Sequence, residues 1–178
     1  RLQSPAQGPC PSRTRRAKQT VHPNTQTGGG AEDETGIDAI RRKATGKIRV
    51  FDHTLGREYN TPGRTDVLRR FLLASRRNTL QIVVHDIATM DRNCPRILHL
   101  LRSFGHAISI NETQHSAKLV YDPFVVVDDR CFVHRFHFDE MRVLSGMDDP
   151  IGTNTFLERL VALWEASPPP VFPTTPGR

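Results

Sequence analysis

The sequence predicts an α/β domain in which a mixed, mostly parallel sheet with a C-terminal hairpin is covered by helices. Three observations predict it. Between residues 47 and 167 the apolar period switches repeatedly between strand-like alternation and helical spacing. Strands and helices alternate early in this stretch, as βαβ units do, and two late strands are separated by only three turn-forming residues.

The elements follow in order. A short helix over Ile37 to Lys43 leads in. Lys47 to Asp52 alternates, with Ile48 and Val50 opposed to Arg49 and Phe51, which predicts a strand. Thr61-Pro62-Gly63 is turn chemistry, and Arg64 or Thr65 opens a helix through Ser75 with Val67, Leu68, Phe71 and Leu72 on one face. Thr79 to Val84 is a short apolar run ending in His85 and Asp86, the pattern of a buried central strand. Pro95 suits the first turn of a helix carrying Ile97, Leu98, Leu100, Leu101 and Phe104, and Gly105 stops it. His106 to Asn111 reads as a strand. Phe124 to Val127 and Cys131 to Phe138 form a hairpin across Asp128-Asp129-Arg130, and Arg142 to Leu144 adds an edge strand. Asn154 or Thr155 caps a last helix with a stripe of Phe156, Leu157, Leu160, Val161 and Trp164.

The flanks read differently. Up to about Gly30 the chain is rich in Pro, Gln, Ser, Thr, Gly and Arg, too poor in aliphatic residues to offset an ordering entropy of roughly 1–2 kcal/mol per residue. Residues 1–46 are expected to be a disordered basic arm, 47–167 the domain, and 168–178 an extended Pro-rich tail. The net charge of +6 divides into +4 for residues 1–46, +1 for 47–167 and +1 for the tail. Arg13, Arg15, Arg16 and Lys18 can therefore hold phosphates in a sequence-blind way, although such clusters are more often simply solvated.

No apolar run approaches the about 20 residues of a membrane helix, so no membrane partner is expected. Cys10, Cys94 and Cys131 form neither a disulfide framework nor a zinc-ligand spacing, which suits a cytoplasmic protein with no metal and no cofactor. A secretory leader is not seen, though a chain that starts at Arg1 leaves its true beginning open.

The strand at Leu80 to Val84, the helix closing on Phe104-Gly105 and the strand at Ile108 to Ile110 resemble one repeat of the phospholipase D superfamily. Phe124-Val125-Val126-Val127-Asp128-Asp129-Arg130 is similar to the stretch around that family's hairpin, and Phe156 through Trp164-Glu165-Ala166-Ser167 to its closing helix. The likeness covers about residues 47 to 167 and is to small, uncharacterised proteobacterial proteins of a diverged kind. It implies a single phospholipase D-like half-domain. Active members carry H-x-K-x4-D followed by G-S-x-N: the His attacks phosphorus, Lys and Asn hold the equatorial oxygens, and a His from a second copy protonates the leaving oxygen.

This chain lacks that set. With Asp128 at the motif's Asp, the His and Lys positions fall on Tyr121 and Pro123, and no Gly-Ser-x-Asn follows. His115, Lys118 and Asp122 keep the His-to-Asp interval, but Lys comes one residue late, on the opposite face of a regular strand unless a bulge at Ser116 or Ala117 restores the phase. With one repeat, catalysis would also require a homodimer.

Other residues can form a site at the carboxyl ends of the parallel strands. His85 and Asp86 end one strand, either as a hydrogen-bonded pair or as the polar floor of a pocket. Arg135, His137 and Asp139 share one face of a strand, opposite Phe132, His134, Phe136 and Phe138, and with Arg142 they can hold an anion or form a salt-bridged face. Arg96, in a first helical turn, calls for a carboxylate such as Asp86 or Asp91, or a phosphate. His99 reads as a boundary residue, and Cys94 lies near a helix N-terminus, a setting that lowers a thiol pKa.

The reading that follows is a non-catalytic phospholipase D-like module, a pseudoenzyme that binds an anionic, phosphate-bearing ligand, nucleic acid or a protein. The alternatives are a homodimeric phosphodiesterase using His115 and Lys118, and a structural subunit that assembles through a sheet edge or the Trp164 helix.

Overall fold

The structure, a computed structural model, describes residues 25–29, 41–137 and 142–168, with backbone alone at 25–29, 115 and 116. The expectations for residues 1–24 and 30–40, for Asp139 and for the tail from 169 onward lie outside the described residues. Of the lead-in helix, only its end at Arg41 and Arg42 is described.

Seven strands form one sheet: β1 (Thr25–Gly29), β2 (Lys47–Asp52), β3 (Thr79–Val84), β4 (Ile108–Glu112), β5 (Phe124–Val127), β6 (Cys131–Arg135) and β7 (Arg142–Gly146), in the spatial order β1-β7-β6-β5-β2-β3-β4. The β2, β3 and β4 strands run parallel, with Ile48 opposite Leu80 and Ile82 opposite Ile110. The other pairings are antiparallel, so the sheet is mixed and its parallel part is confined to these three strands. The hairpin turns where expected: Asp128 and Asp129 both have positive φ, a conformation that Asp tolerates better than most residues, and the Arg130 amide donates to the Val127 carbonyl.

Beyond the helix end at Arg41 and Arg42, four α-helices lie among the described residues: α1 (Pro62–Ala74), α2 (Met90–Asn93), α3 (Pro95–Ser103) and α4 (Pro150–Glu165). Each sheet face has its own core. On one, Ile48, Val50, Leu80, Ile82 and Ile110 meet Leu68 and Phe71 of α1 and Ile97 and Leu100 of α3. On the other, Phe51, Val83, Phe124, Val126 and Phe132 meet Phe156, Leu160 and Leu163 of α4. Among the described residues no helix is long and apolar enough to cross a membrane.

Several boundaries differ from expectation, for identifiable reasons. The α1 helix starts at Pro62, not at Arg64 or Thr65, because Thr61 is its cap and accepts from the Arg64 amide. Similarly, α4 starts at Pro150, not after Asn154: Asp149 caps it, accepting from the Gly152 amide at 2.9 Å. Its buried stripe includes Leu163, while Val161 is exposed. The strand at Arg142 runs on to Gly146 and is no edge, since β1 pairs with it in a stretch from which no strand was expected. Strand pairing there uses backbone groups, which the polar composition of residues 25–29 does not remove.

Candidate functional site

The carboxyl end of β2 opens onto a small cleft with charged and apolar walls, the location expected for an open α/β sheet. Asp52 lies at its centre because strand alternation puts it on the face of Ile48 and Val50, a carboxylate on an apolar surface. Arg41 and Tyr59 flank it, Arg64 enters from α1, Pro123 comes from the start of β5, and Arg135 from the end of β6. The guanidinium of Arg41 lies 4.8 Å from the centre of the Tyr59 ring. The Asp52 carboxylate accepts from the His53 amide at 2.7 Å. Burial, reinforced by the charge of Glu58, pushes Asp52 up to about 7, against the His53 amide and the cations Arg135 and Arg41. Free space in the cleft is about 30 Å³, enough for a water or two and not for a phosphodiester.

The residues expected to converge here do so only in part. Arg135 faces the cleft, whereas His137 stacks on Tyr121 with ring centres 6.3 Å apart and Arg142 lies over the Phe136 ring at 4.7 Å. His85 and Asp86 do not pair. The His85 Nε2 donates to the Val120 carbonyl and its Nδ1 lies in hydrogen-bond contact with the Thr113 hydroxyl, both at 2.5 Å, which fixes the ring between the end of β4 and the following turn. Burial lowers its pKa; the Val120 carbonyl opposes this, and His53 and Lys118 add to it. Asp86 points elsewhere and accepts from the Ala88 amide at 2.7 Å.

His115 to Leu119 is a 3₁₀ turn, not a strand. With three residues per turn, positions 115 and 118 lie one above the other, so the strand-phase objection does not apply. Asp122, however, is engaged elsewhere. It accepts two hydrogen bonds from Arg159 of α4, at 2.6 and 2.7 Å, and one from His134 Nε2 at 2.8 Å. Burial works to raise the Asp122 pKa, but the bonds from Arg159 and His134 prevail and hold it low. His134 is itself lowered by burial, against the pull of Asp122 and with the Arg159 charge adding. Its buried Nδ1 has no hydrogen-bond partner among the described residues.

Asp128, the residue that the resemblance sets against the family's motif Asp, serves the hairpin. Its carboxylate accepts from the amides of Thr45, Gly46 and Lys47 at 2.6–2.8 Å and from the Thr45 hydroxyl at 3.0 Å. Arg96 has neither Asp86 nor Asp91 as an ion-pair partner among the described residues; its amide donates to Asn60, and its side chain borders a groove between α1 and α3 with His99. Cys94 reverses the expectation of a lowered pKa: burial, with Glu58 and Asp52 nearby, pushes the thiol up to about 11, and it donates to the Leu55 carbonyl. No group of three or more His, Cys, Asp or Glu among the described residues could hold a metal.

Asp52, Tyr59, Arg64, His134 and Arg159 are not among the site residues expected from sequence, and Asp122 is expected there only as the partner of His115 and Lys118. A signal existed for two of them: Asp52 and His134 each interrupt the apolar face of a strand.

A family model described as "Domain of unknown function (DUF7931)" matches residues 34–171. The chain belongs to the DUF7931 family. A search of proteins with curated descriptions gives no significant match. Among solved structures, this DUF7931 chain is similar to Nuc from Salmonella typhimurium, a phospholipase D family member, with a TM-score of 0.59 and 16% identity over 82% of this chain and 97% of that one. It is also similar to TrmBL2, an archaeal chromatin protein with a novel mode of DNA binding, at TM-score 0.60 and 12% identity, covering 84% of this chain and 56% of TrmBL2. Phosphatidylserine synthase from Haemophilus influenzae matches at TM-score 0.56 and 13% identity, covering 86% of this chain and 41% of the synthase. These likenesses are of fold, and the DUF7931 chain has the phospholipase D-like α/β fold that its sequence resembles.

Proposed function

We propose that this domain is a non-catalytic phospholipase D-like module that recognises a phosphate-bearing partner. The observation that carries this reading is Pro123. With Asp128 taken as the motif's Asp, it falls where the family places its phosphate-holding ammonium, and it is buried in the wall of a cleft with about 30 Å³ of free space. A pyrrolidine ring supplies neither charge nor an N–H donor. Tyr121, in the nucleophile's place, is exposed and stacks on His137. A DNA-binding chromatin protein among the fold relatives lends the phosphate-bearing partner a precedent. Free Cys94 and Cys131 fit a reducing, cytoplasmic setting.

The test uses the full chain with an end-labelled oligonucleotide. On a native gel the oligonucleotide is expected to be retarded, and on a denaturing gel it is expected to be recovered at full length. Cleavage products overturn the reading. They would favour a homodimeric hydrolase built on His115 and Lys118, for which the 3₁₀ register of those two positions speaks.

A further inference from the structure

The net charge conceals a separation within the domain. Residues 41–106 hold fourteen Lys/Arg against five Asp/Glu, net +9, whereas residues 107–168 hold five against ten, net −5. The basic part includes β2, β3 and the whole α1–α3 layer; the acidic part includes β5 to β7 and α4 on the opposite face of the sheet.

The helical layers on the two sheet faces also differ in ion pairing, although Arg49 of β2 pairs with Asp129. In the acidic part Arg130 pairs with Asp148 and Arg159 with Asp122. On the α1–α3 layer Arg70 pairs with Asp66, but exposed Arg69, Arg76, Arg77, Arg92, Arg96 and Arg102 have no ion-pair partner among the described residues. Cations gathered this way repel one another and raise the local potential, a cost that a polyanion relieves.

These charges border a real concavity. Between α1 and α3 runs a groove of about 360 Å³, twelve times the free space of the cleft at Asp52 by the same measure. Arg69, Arg96 and His99 edge it, Thr65 and Ser103 contribute hydroxyl groups, Phe104 forms part of its wall, and no carboxylate among the described residues lines it. Guanidinium and hydroxyl donors without a competing acid suit phosphate oxygens.

We infer that the α1–α3 face, centred on the groove at Arg69, Arg96 and His99, takes the phosphate backbone of nucleic acid. This rests on the phosphate-recognition reading above and moves the contact from the closed cleft to the helical layer.

Fluorescence anisotropy with a labelled single strand, and in a second arm a duplex, across a sodium chloride series tests it. The full chain is compared with Arg69→Glu/Arg96→Glu and with Arg130→Ser from the acidic part. The double variant is expected to bind at least tenfold more weakly in dilute salt. Losing two phosphate contacts also makes its log–log salt slope shallower by about 1.4 on the single strand, at roughly 0.7 per contact. Arg130→Ser retains wild-type binding. Arg96→Gln, which keeps most of the stem, gives about half that slope change and serves if the double variant loses its circular dichroism. Equal binding by wild type and double variant overturns this surface but leaves phosphate recognition standing. No uptake by the wild type even in dilute salt removes both. Self-association that the double variant abolishes, without oligonucleotide uptake, would assign the face to the acidic part of a second copy and overturn the inference.

Discussion

Asp128→Ala removes the knot that ties the hairpin to the entrance of β2. Three backbone amides, of Thr45, Gly46 and Lys47, donate to this one carboxylate at 2.6–2.8 Å. A net value of about 1 kcal/mol per bond gives roughly 3 kcal/mol; Thr45 and Lys47 are exposed and can rehydrate, which lowers the expected loss to about 2 kcal/mol. Asp128→Asn keeps the tolerance for positive φ and one acceptor oxygen, so it should lose about half as much. Burial works to raise the Asp128 pKa, but the amides of Lys47, Thr45 and Gly46 outweigh it and hold the folded value below the ordinary 3.8. For such a depressed acid the stabilisation is present above the unfolded pKa and disappears as pH falls through the folded one. Urea denaturation at neutral pH should therefore show a lower midpoint at an unchanged m-value, with wild type and variant converging in strong acid. A loss below roughly 0.5 kcal/mol at neutral pH, the ordinary range of surface substitutions, refutes this account of Asp128.

Three further outcomes follow from the cores and the cleft. Asp122→Ala strands the Arg159 guanidinium and should destabilise the fold by about 2–3 kcal/mol, less than a fully buried pair because both groups are partly exposed. It also removes the group that holds the His134 pKa up, so proton NMR should find that ring titrating lower than in the wild type. Asp52, raised to about 7, weakens the folded state as pH climbs from the unfolded value of 3.8 towards 7. Asp52→Asn abolishes that slope and gains up to about 4 kcal/mol at pH 8 relative to its own effect in acid, reduced by the loss of a counter-charge for Arg41 and Arg135; denaturant midpoints against pH measure it. Phe124→Ala empties a site packed by Phe51 and Phe156 at ring distances of 5.4 Å, and calorimetry should register about 3–5 kcal/mol.

The sequence makes the parallel strands legible because each had a one-sided or fully apolar pattern: Thr79–Val84 was bounded correctly, as was Lys47–Asp52. Helix starts were harder. Pro150-Ile151-Gly152 looks like a helix breaker until Asp149 is seen to cap it. No side-chain pattern announces Thr25–Gly29, whose pairing with β7 is a matter of backbone groups. At the site, Asp52 and His134 were visible as polar residues on apolar strand faces. Their partners were not, because Asp122, His134 and Arg159 come from three elements that only tertiary packing brings together. The pairing of His85 with Asp86 failed for a local reason: His85 is drawn in by Thr113 and Val120, while Asp86 folds back on the turn at Ala88.

Steady-state hydrolysis of bis(4-nitrophenyl) phosphate by the full chain and by His115→Ala bears most directly on the pseudoenzyme reading. On the proposed reading, which sets a proline at the ammonium position beside a cleft of water size, both proteins should release nitrophenol at the rate of buffer alone. Turnover by the wild type that His115→Ala abolishes would mean that this fold still cleaves phosphodiesters.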